Sequence, residues 1–153
     1  VVVDTAITLA VGTVNTKTKQ LLDRTREALE LGIQQCMQGN SIASIGKAIE
    51  SYIEPFGYGV IRDLVGHGTG YQLHEEPAVP NYYDKNLEQW ILEPNAVIAI
   101  EPMITLGDYH IDVAEDGWSI STLDHSLSAH FEHTIVITKD GPIVATRRMS
   151  ERV

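Results

Sequence analysis

Gly66-His67-Gly68-Thr69-Gly70-Tyr71-Gln72-Leu73-His74-Glu75-Glu76-Pro77 is the stretch around which the rest of the chain makes sense. His67 is bracketed by glycines, and His74, seven residues on, is followed by two carboxylates and a proline. Glycine beside a histidine removes side chains that would crowd the imidazole and lets the backbone approach its neighbours closely. Imidazole is the commonest metal ligand and a ready proton carrier near neutral pH. A zinc-protease helix is not encoded, because Ala78 stands where the second histidine of H-E-x-x-H would be and Pro77 precedes it. The plain alternative is a glycine-rich turn carrying two surface histidines.

Working outward, residues 58–65 read as a short apolar strand leading into this stretch, and residues 80–90 as a polar loop leaving it. Further upstream, Leu21, Leu22, Ala28, Leu29, Ile33 and Met37 recur at helical spacing and predict a helix over about 16–38. Asn15 or Thr16 is its cap and Gly39 its stop. A second helix follows, capped by Ser41, with Ile42, Ile45, Ala48, Ile49, Tyr52 and Ile53 as its apolar stripe, ended by Pro55 and Gly57. Residues 1–11 predict a strand with both faces buried. Downstream, residues 97–104 read as one strand, 109–114 and 118–122 as a hairpin turning at Asp116-Gly117, and 131–138 as a strand returning into 142–146. A strand, two helices and then an antiparallel set is an α+β order rather than a regular parallel array.

Composition narrows the function classes. The chain has 153 residues, 43% of them hydrophobic, enough for one domain with a core, and 1–153 is read as a single unit. Twenty-one acids against 11 bases give a net charge of −10, which argues against nucleic-acid binding. No apolar run approaches the roughly 18 residues of a membrane span. The single cysteine, Cys36, lies in a helical pattern and reads as a small core residue, and a lone cysteine fits a reducing compartment. The chain opens on Val1 in what reads as mid-strand, so it is expected to be the tail of a longer protein.

Three apolar runs each carry one acid where acids are rare: Asp4, Glu101 and Glu132. Burying a carboxylate costs several kcal/mol unless it is compensated. Three such acids and a glycine-flanked histidine share a simple cause if they converge on a cation. Carboxylates with one imidazole suit Mn, Fe, Co or Zn, and carboxylates can bridge two such ions. His110, His125, His130 and His133 carry no spacing that demands metal contact and read as surface or supporting residues.

These pieces together resemble the C-terminal part of a type I methionine aminopeptidase of the pita-bread (creatinase/aminopeptidase) fold. The matching segments are Val3-Asp4-Thr5, Gly66-His67-Gly68-Thr69-Gly70 with His74-Glu75-Glu76-Pro77, Ile100-Glu101-Pro102-Met103, Asp116-Gly117-Trp118, Ser126-Leu127-Ser128-Ala129 and Glu132-His133-Thr134. They run the length of the chain, and the 27 positions between His74 and Glu101 leave no room for the insertion of the type II enzymes.

The resemblance implies a hydrolase that removes N-terminal methionine from nascent proteins and peptides, with metal-activated water as nucleophile. Asp4, His67, Glu101 and Glu132 would be metal ligands, Asp4 and Glu132 bridging, and Glu101 also the general base. His74 would stay off the metal and hydrogen-bond the scissile amide of the substrate. Trp118 would line the methionine pocket, where a core tryptophan of the hairpin is the alternative, and Leu73 stands where relatives often carry an aromatic. The resemblance also implies two divalent ions (Co, Mn, Fe or Zn) per complete site, cytoplasmic location, proximity to the ribosome, and a monomer at full length.

The chain matches only a little more than half of the family's domain, so much of the N-terminal half is expected to be lacking. A further aspartate ligand lies in that half, so one ion rather than two is expected here, and activity of the chain alone is in question. An Xaa-Pro peptidase of the same fold and a non-catalytic binding module are the rival readings.

Overall fold

The computed structural model describes residues 1–151. Helix α1 (Thr16–Gln34) starts at Asn15, whose side chain accepts from the Thr18 amide, and passes into Gln35 in a right-handed conformation, four residues before Gly39. Helix α2 (Ile42–Ile53) begins after Ser41, which makes no side-chain cap. Instead the Ser44 hydroxyl donates to the Ser41 carbonyl. A 3-10 turn over Glu54–Phe56 ends it, and Gly57 closes that turn at φ 68°, where a side chain would be strained. The apolar stripes of both helices are largely buried, except Met37, which lies beyond the end of α1 at Gln34 and is exposed, and Gly32 lets Ile45 and Ile49 pack directly on α1.

Ten short strands follow: β1 (Gly59–Val60), β2 (Gly66–Gly68), β3 (Glu75–Val79), β4 (Val97–Ile100), β5 (Met103–Thr105), β6 (Ile111–Val113), β7 (Ile120–Thr122), β8 (Ser128–His130), β9 (His133–Thr138) and β10 (Gly141–Val144). They form a five-stranded sheet in the order β10-β9-β4-β2-β3, a three-stranded sheet β1-β5-β8 and the hairpin β6-β7, all antiparallel. The two helices cover the larger sheets, and one apolar cluster holds them together: Leu21, Leu29, Ile45 and Ile49 from the helices with Ile98, Ile100, Ile104, Ile135 and Ile137 from the strands. Cys36 is fully buried at the end of this layer, and burial pushes its thiol up to about 12.

Two expectations need correction. The apolar run 97–104 is not one strand. It breaks at Glu101-Pro102 and contributes β4 to one sheet and β5 to the other. Pro102 has no N–H to give to a ladder, and Glu101 falls opposite the like-charged Glu132, as described below. Residues 1–11 do not form a strand with two buried faces. They run extended along Glu132–Thr134 with one bridge, Ala6 to Glu132, while Val1, Val3, Leu9 and Val11 stay exposed. Threonine hydroxyls take the ladder positions here. Asp4 N–H donates to Thr134 Oγ1, which donates back to the Asp4 carbonyl, both at 2.8 Å, and Thr5 and Thr8 donate to the carbonyls of Glu132 and His130.

The hairpin β6-β7 turns where Asp116-Gly117 predicted. Asp116 accepts from the amides of Trp118 and Ser119 and from the Ser119 hydroxyl, which holds its carboxyl down at about 2. Trp118 at this turn is 87% exposed, so the core-tryptophan reading does not hold.

Candidate metal centre

The two chain runs 97–105 and 128–138 lie antiparallel in a single register. Ile100 is opposite His133 on one side of the break between the sheets, and Met103 is opposite His130 on the other. That register places Glu101 across from Glu132 at the point where the ladder opens. Like charges directly opposite one another repel and destabilise a sheet. The consequence is legible in Glu132, which is 4% exposed and has its carboxyl pushed up to about 8, first by burial and then by the nearby charges of Glu101 and Asp4. Arg148 pulls in the opposite direction and is outweighed. Glu132 Oε1 is buried with no hydrogen-bond partner among the described residues.

His67 reaches this pair from β2. Its Nδ1 lies 2.8 Å from the Gly68 carbonyl, so Nδ1 carries the proton and donates. Nε2 faces Glu101 Oε1 at 3.6 Å. Ligand atoms of His67, Glu101 and Glu132 lie within 4.8 Å of one another. Asp4, half-buried, meets His67 and His74 within the same limit. The four residues read from the sequence as ligands therefore gather in two overlapping groups that share His67. Three carboxylates and one imidazole, with an orphaned buried oxygen and a surplus of negative charge, fit a divalent cation by ligand type and by charge.

The glycines serve the strands that frame the centre. A Cβ on Gly66 would stand 2.3 Å from the Ala99 carbonyl oxygen of β4, and one on Gly68 would stand 2.2 Å from the Glu76 carbonyl oxygen of β3. The register of β2 with β3 also shifts between His67 and Gly68. Such a bulge re-aims a side chain locally. The backbone between the histidines is thus slim because neighbouring strands crowd it. His74 lies on the exposed loop after this strand, its ring packed edge-on against His67 with centroids 4.2 Å apart, and Leu73 beside it is 42% exposed.

Sequence reasoning gave His130 only a surface or supporting role and passed over Thr134 and Arg148. His130 Nε2 lies 3.3 Å from Glu101 Oε2, without the alignment of a hydrogen bond. His130 and Glu132 alternate along an extended run, so a shared face was available as a signal. Thr134, which grips the Asp4 backbone, and Arg148 carry no such signal. Their roles depend on residues more than 120 positions away.

A groove of about 980 Å³ runs past Thr69, Gly70, Glu75, Trp90 and Ile91. His67, Glu101 and Glu132 do not line it.

Residues 1–139 match the model of Metallopeptidase family M24. The methionine aminopeptidase of Borreliella burgdorferi is 43% identical over 141 residues, covering 92% of this chain and 56% of that protein. That of Mycoplasma capricolum is 45% identical over 145 residues, covering 94% and 57%. The crystal structure of methionine aminopeptidase from Rickettsia prowazekii superposes with a TM-score of 0.90 at 40% identity over 95% of this chain and 58% of that one. The prolidase of Pyrococcus horikoshii follows at a TM-score of 0.72 and 26% identity. The chain therefore spans a little over half the length of the curated relatives it matches. The architecture is the α+β pita-bread fold that the resemblance implied, and the family's metallopeptidase chemistry calls for a divalent metal. This chain belongs to metallopeptidase family M24.

Proposed function

We infer that this chain carries the metal centre of a methionine aminopeptidase, a hydrolase that removes N-terminal methionine from nascent proteins and peptides. The observation that carries the reading is the placement of Glu101 across from Glu132, with His67 and Asp4 in reach and a buried oxygen left without a partner. The relatives named methionine aminopeptidase, at 43% and 45% identity, support the choice of reaction over an Xaa-Pro peptidase, since the prolidase likeness stands at 26%.

In this reading Asp4, His67, Glu101 and Glu132 would hold the metal. Bound metal supplies Lewis-acid polarisation of the scissile carbonyl and acidifies water for attack. Glu101 would accept the proton of the attacking water on its carboxylate, which makes no aligned hydrogen bond to His130. His74 donates a hydrogen bond to the substrate amide, a role open to it because it sits on the exposed side of His67. Leu73, adjacent to it, and Trp118, on the exposed hairpin turn, contact the methionine side chain. The substrate is a peptide or nascent-protein N-terminus, met near the ribosome in the cytoplasm by a full-length monomer. No helix among the described residues is long and apolar enough to cross a membrane.

Calorimetric titration of the 153-residue chain with Mn²⁺ or Co²⁺ tests the metal centre. One tight site is expected; two equally tight sites, or none, would count against it. Side-by-side hydrolysis of Met-Ala-Ser and an Xaa-Pro peptide by the full-length protein tests the reaction, with turnover of the first expected.

A further inference from the structure

Arg148 lies near the far end of the chain from Asp4, yet its guanidinium ends on the segment that carries Asp4. One nitrogen donates to Thr5 Oγ1 at 2.7 Å and to the Ala6 carbonyl at 3.0 Å. Both acceptors already register that segment against Glu132. The Ala6 carbonyl accepts from the Glu132 amide at 3.0 Å, and the Thr5 hydroxyl donates to the Glu132 carbonyl at 2.9 Å. The other end of the side chain is anchored. Its second nitrogen donates to Glu151 Oε1 at 2.8 Å, and the Arg148 amide donates to Glu151 Oε2, also at 2.8 Å. Glu151 in turn lies 3.4 Å from Nε2 of His133, the residue after Glu132, whose Nδ1 is within hydrogen-bond distance of the Thr146 hydroxyl.

We propose that Arg148 is a positioning residue of the metal centre, fixing the spacing between the Asp4 and Glu132 carboxylates by clamping Thr5 and Ala6 to β9. The fork geometry of guanidinium permits this, since its rigid, planar set of donors can serve the Glu151 carboxylate on one side and the Thr5 hydroxyl and Ala6 carbonyl on the other. The Asp4 segment needs such a clamp because it makes a single bridge rather than a ladder and is otherwise held mainly by threonine hydroxyls, with one backbone bond from the Val2 amide to the Gly70 carbonyl. Arg148 makes no hydrogen bond or ion pair with the carboxylate oxygens of the centre among the described residues; its charge reaches Glu132 only from a distance, and its positioning action passes through the segment it holds.

The proposal rests on the metal reading above, and the test separates the two. Mn²⁺ affinity is measured by calorimetry, and metal-free unfolding by circular dichroism, for the unsubstituted chain, Arg148→Met, Arg148→Lys and Arg147→Met. Arg147 is the control, since it pairs with Glu30 on α1 and makes no contact with the Asp4 segment. Arg148→Met is expected to weaken Mn²⁺ binding about 10- to 100-fold, the usual cost of losing a partner that orients a ligand. Arg148→Lys should fall between the two, because one ammonium cannot span the fork's partners. Arg147→Met should lower the unfolding midpoint without changing affinity. Equal affinity of folded Arg148→Met and the unsubstituted chain, or an equal loss in Arg147→Met, overturns the proposal while leaving the metal reading intact. If the unsubstituted chain takes up no Mn²⁺, the metal reading falls and this proposal with it. Should Arg148→Met not fold, Arg148→Lys is judged by the same criterion.

Discussion

Glu132 is the residue whose environment says most. It is buried, its Oε1 has no partner, and two further carboxylates press on it. Its carboxyl is raised from 4.5 to about 8, so without metal the folded chain holds a proton there that the unfolded chain has released across that interval. The contribution of Glu132 to the stability of the metal-free chain should therefore be fully present below about pH 4.5 and be lost as the pH climbs toward and through 8. Urea unfolding in chelator at pH 5 and pH 8 checks this, and Glu132→Gln should flatten the difference. Metal binding near neutral pH should also expel a proton, visible as a calorimetric enthalpy that varies with the buffer's ionisation heat. The two histidines divide differently. His67 presents Nε2 to Glu101, whereas His74 is exposed beside it. His67→Ala should cost more metal affinity than the roughly 10- to 100-fold of an outer partner, while His74→Ala should bind within a few-fold of the unsubstituted chain and slow turnover at full length.

At the scale of elements, the junction between the two larger sheets makes the centre. The strand pairs β4-β9 and β5-β8 keep one register across a gap of two residues on each side, and both glutamates fall in that gap. Their backbone groups are then served by other partners. The Glu101 carbonyl accepts from Asn81 Nδ2, and the Glu132 amide donates to Ala6. The glycine strand β2 fits only because its neighbours meet no side chain. Gly68→Ala should force the Glu76 carbonyl away, at a cost of about 1–3 kcal/mol and with the bulge that aims His67 disturbed. Denaturant unfolding reads the first effect and Mn²⁺ titration the second. A drop in stability with unchanged metal affinity would separate the bulge from the aim of His67.

Across the whole molecule, apolar side chains are unevenly covered. The helices and strands share a closed cluster, but Val1, Val3, Leu9 and Val11 lie exposed along the opening segment, with Trp90 and Ile91 along the groove. Exposed apolar surface of this kind favours association. The 153-residue chain in isolation should show concentration-dependent self-association by light scattering, reduced when Leu9 and Val11 are replaced by serine. A chain that stays monodisperse at all concentrations would contradict this.

The sequence by itself determined the helices, the hairpin at Asp116-Gly117 and the identity of the acids in apolar runs, because these follow from local periodicity, turn chemistry and the cost of burying charge. Family membership was also legible, since the motif residues Asp4, His67, Glu101 and Glu132 are spread along the chain at recognisable intervals. Only the tertiary structure decided that Glu101 faces Glu132, that the run 97–104 splits between sheets, and that the opening segment is held by threonines and Arg148 rather than by a ladder. The reason is physical: cross-strand register and side-chain-to-backbone bonds join residues 30 to 140 positions apart, and no local pattern of the chain encodes which acceptor lies at that distance.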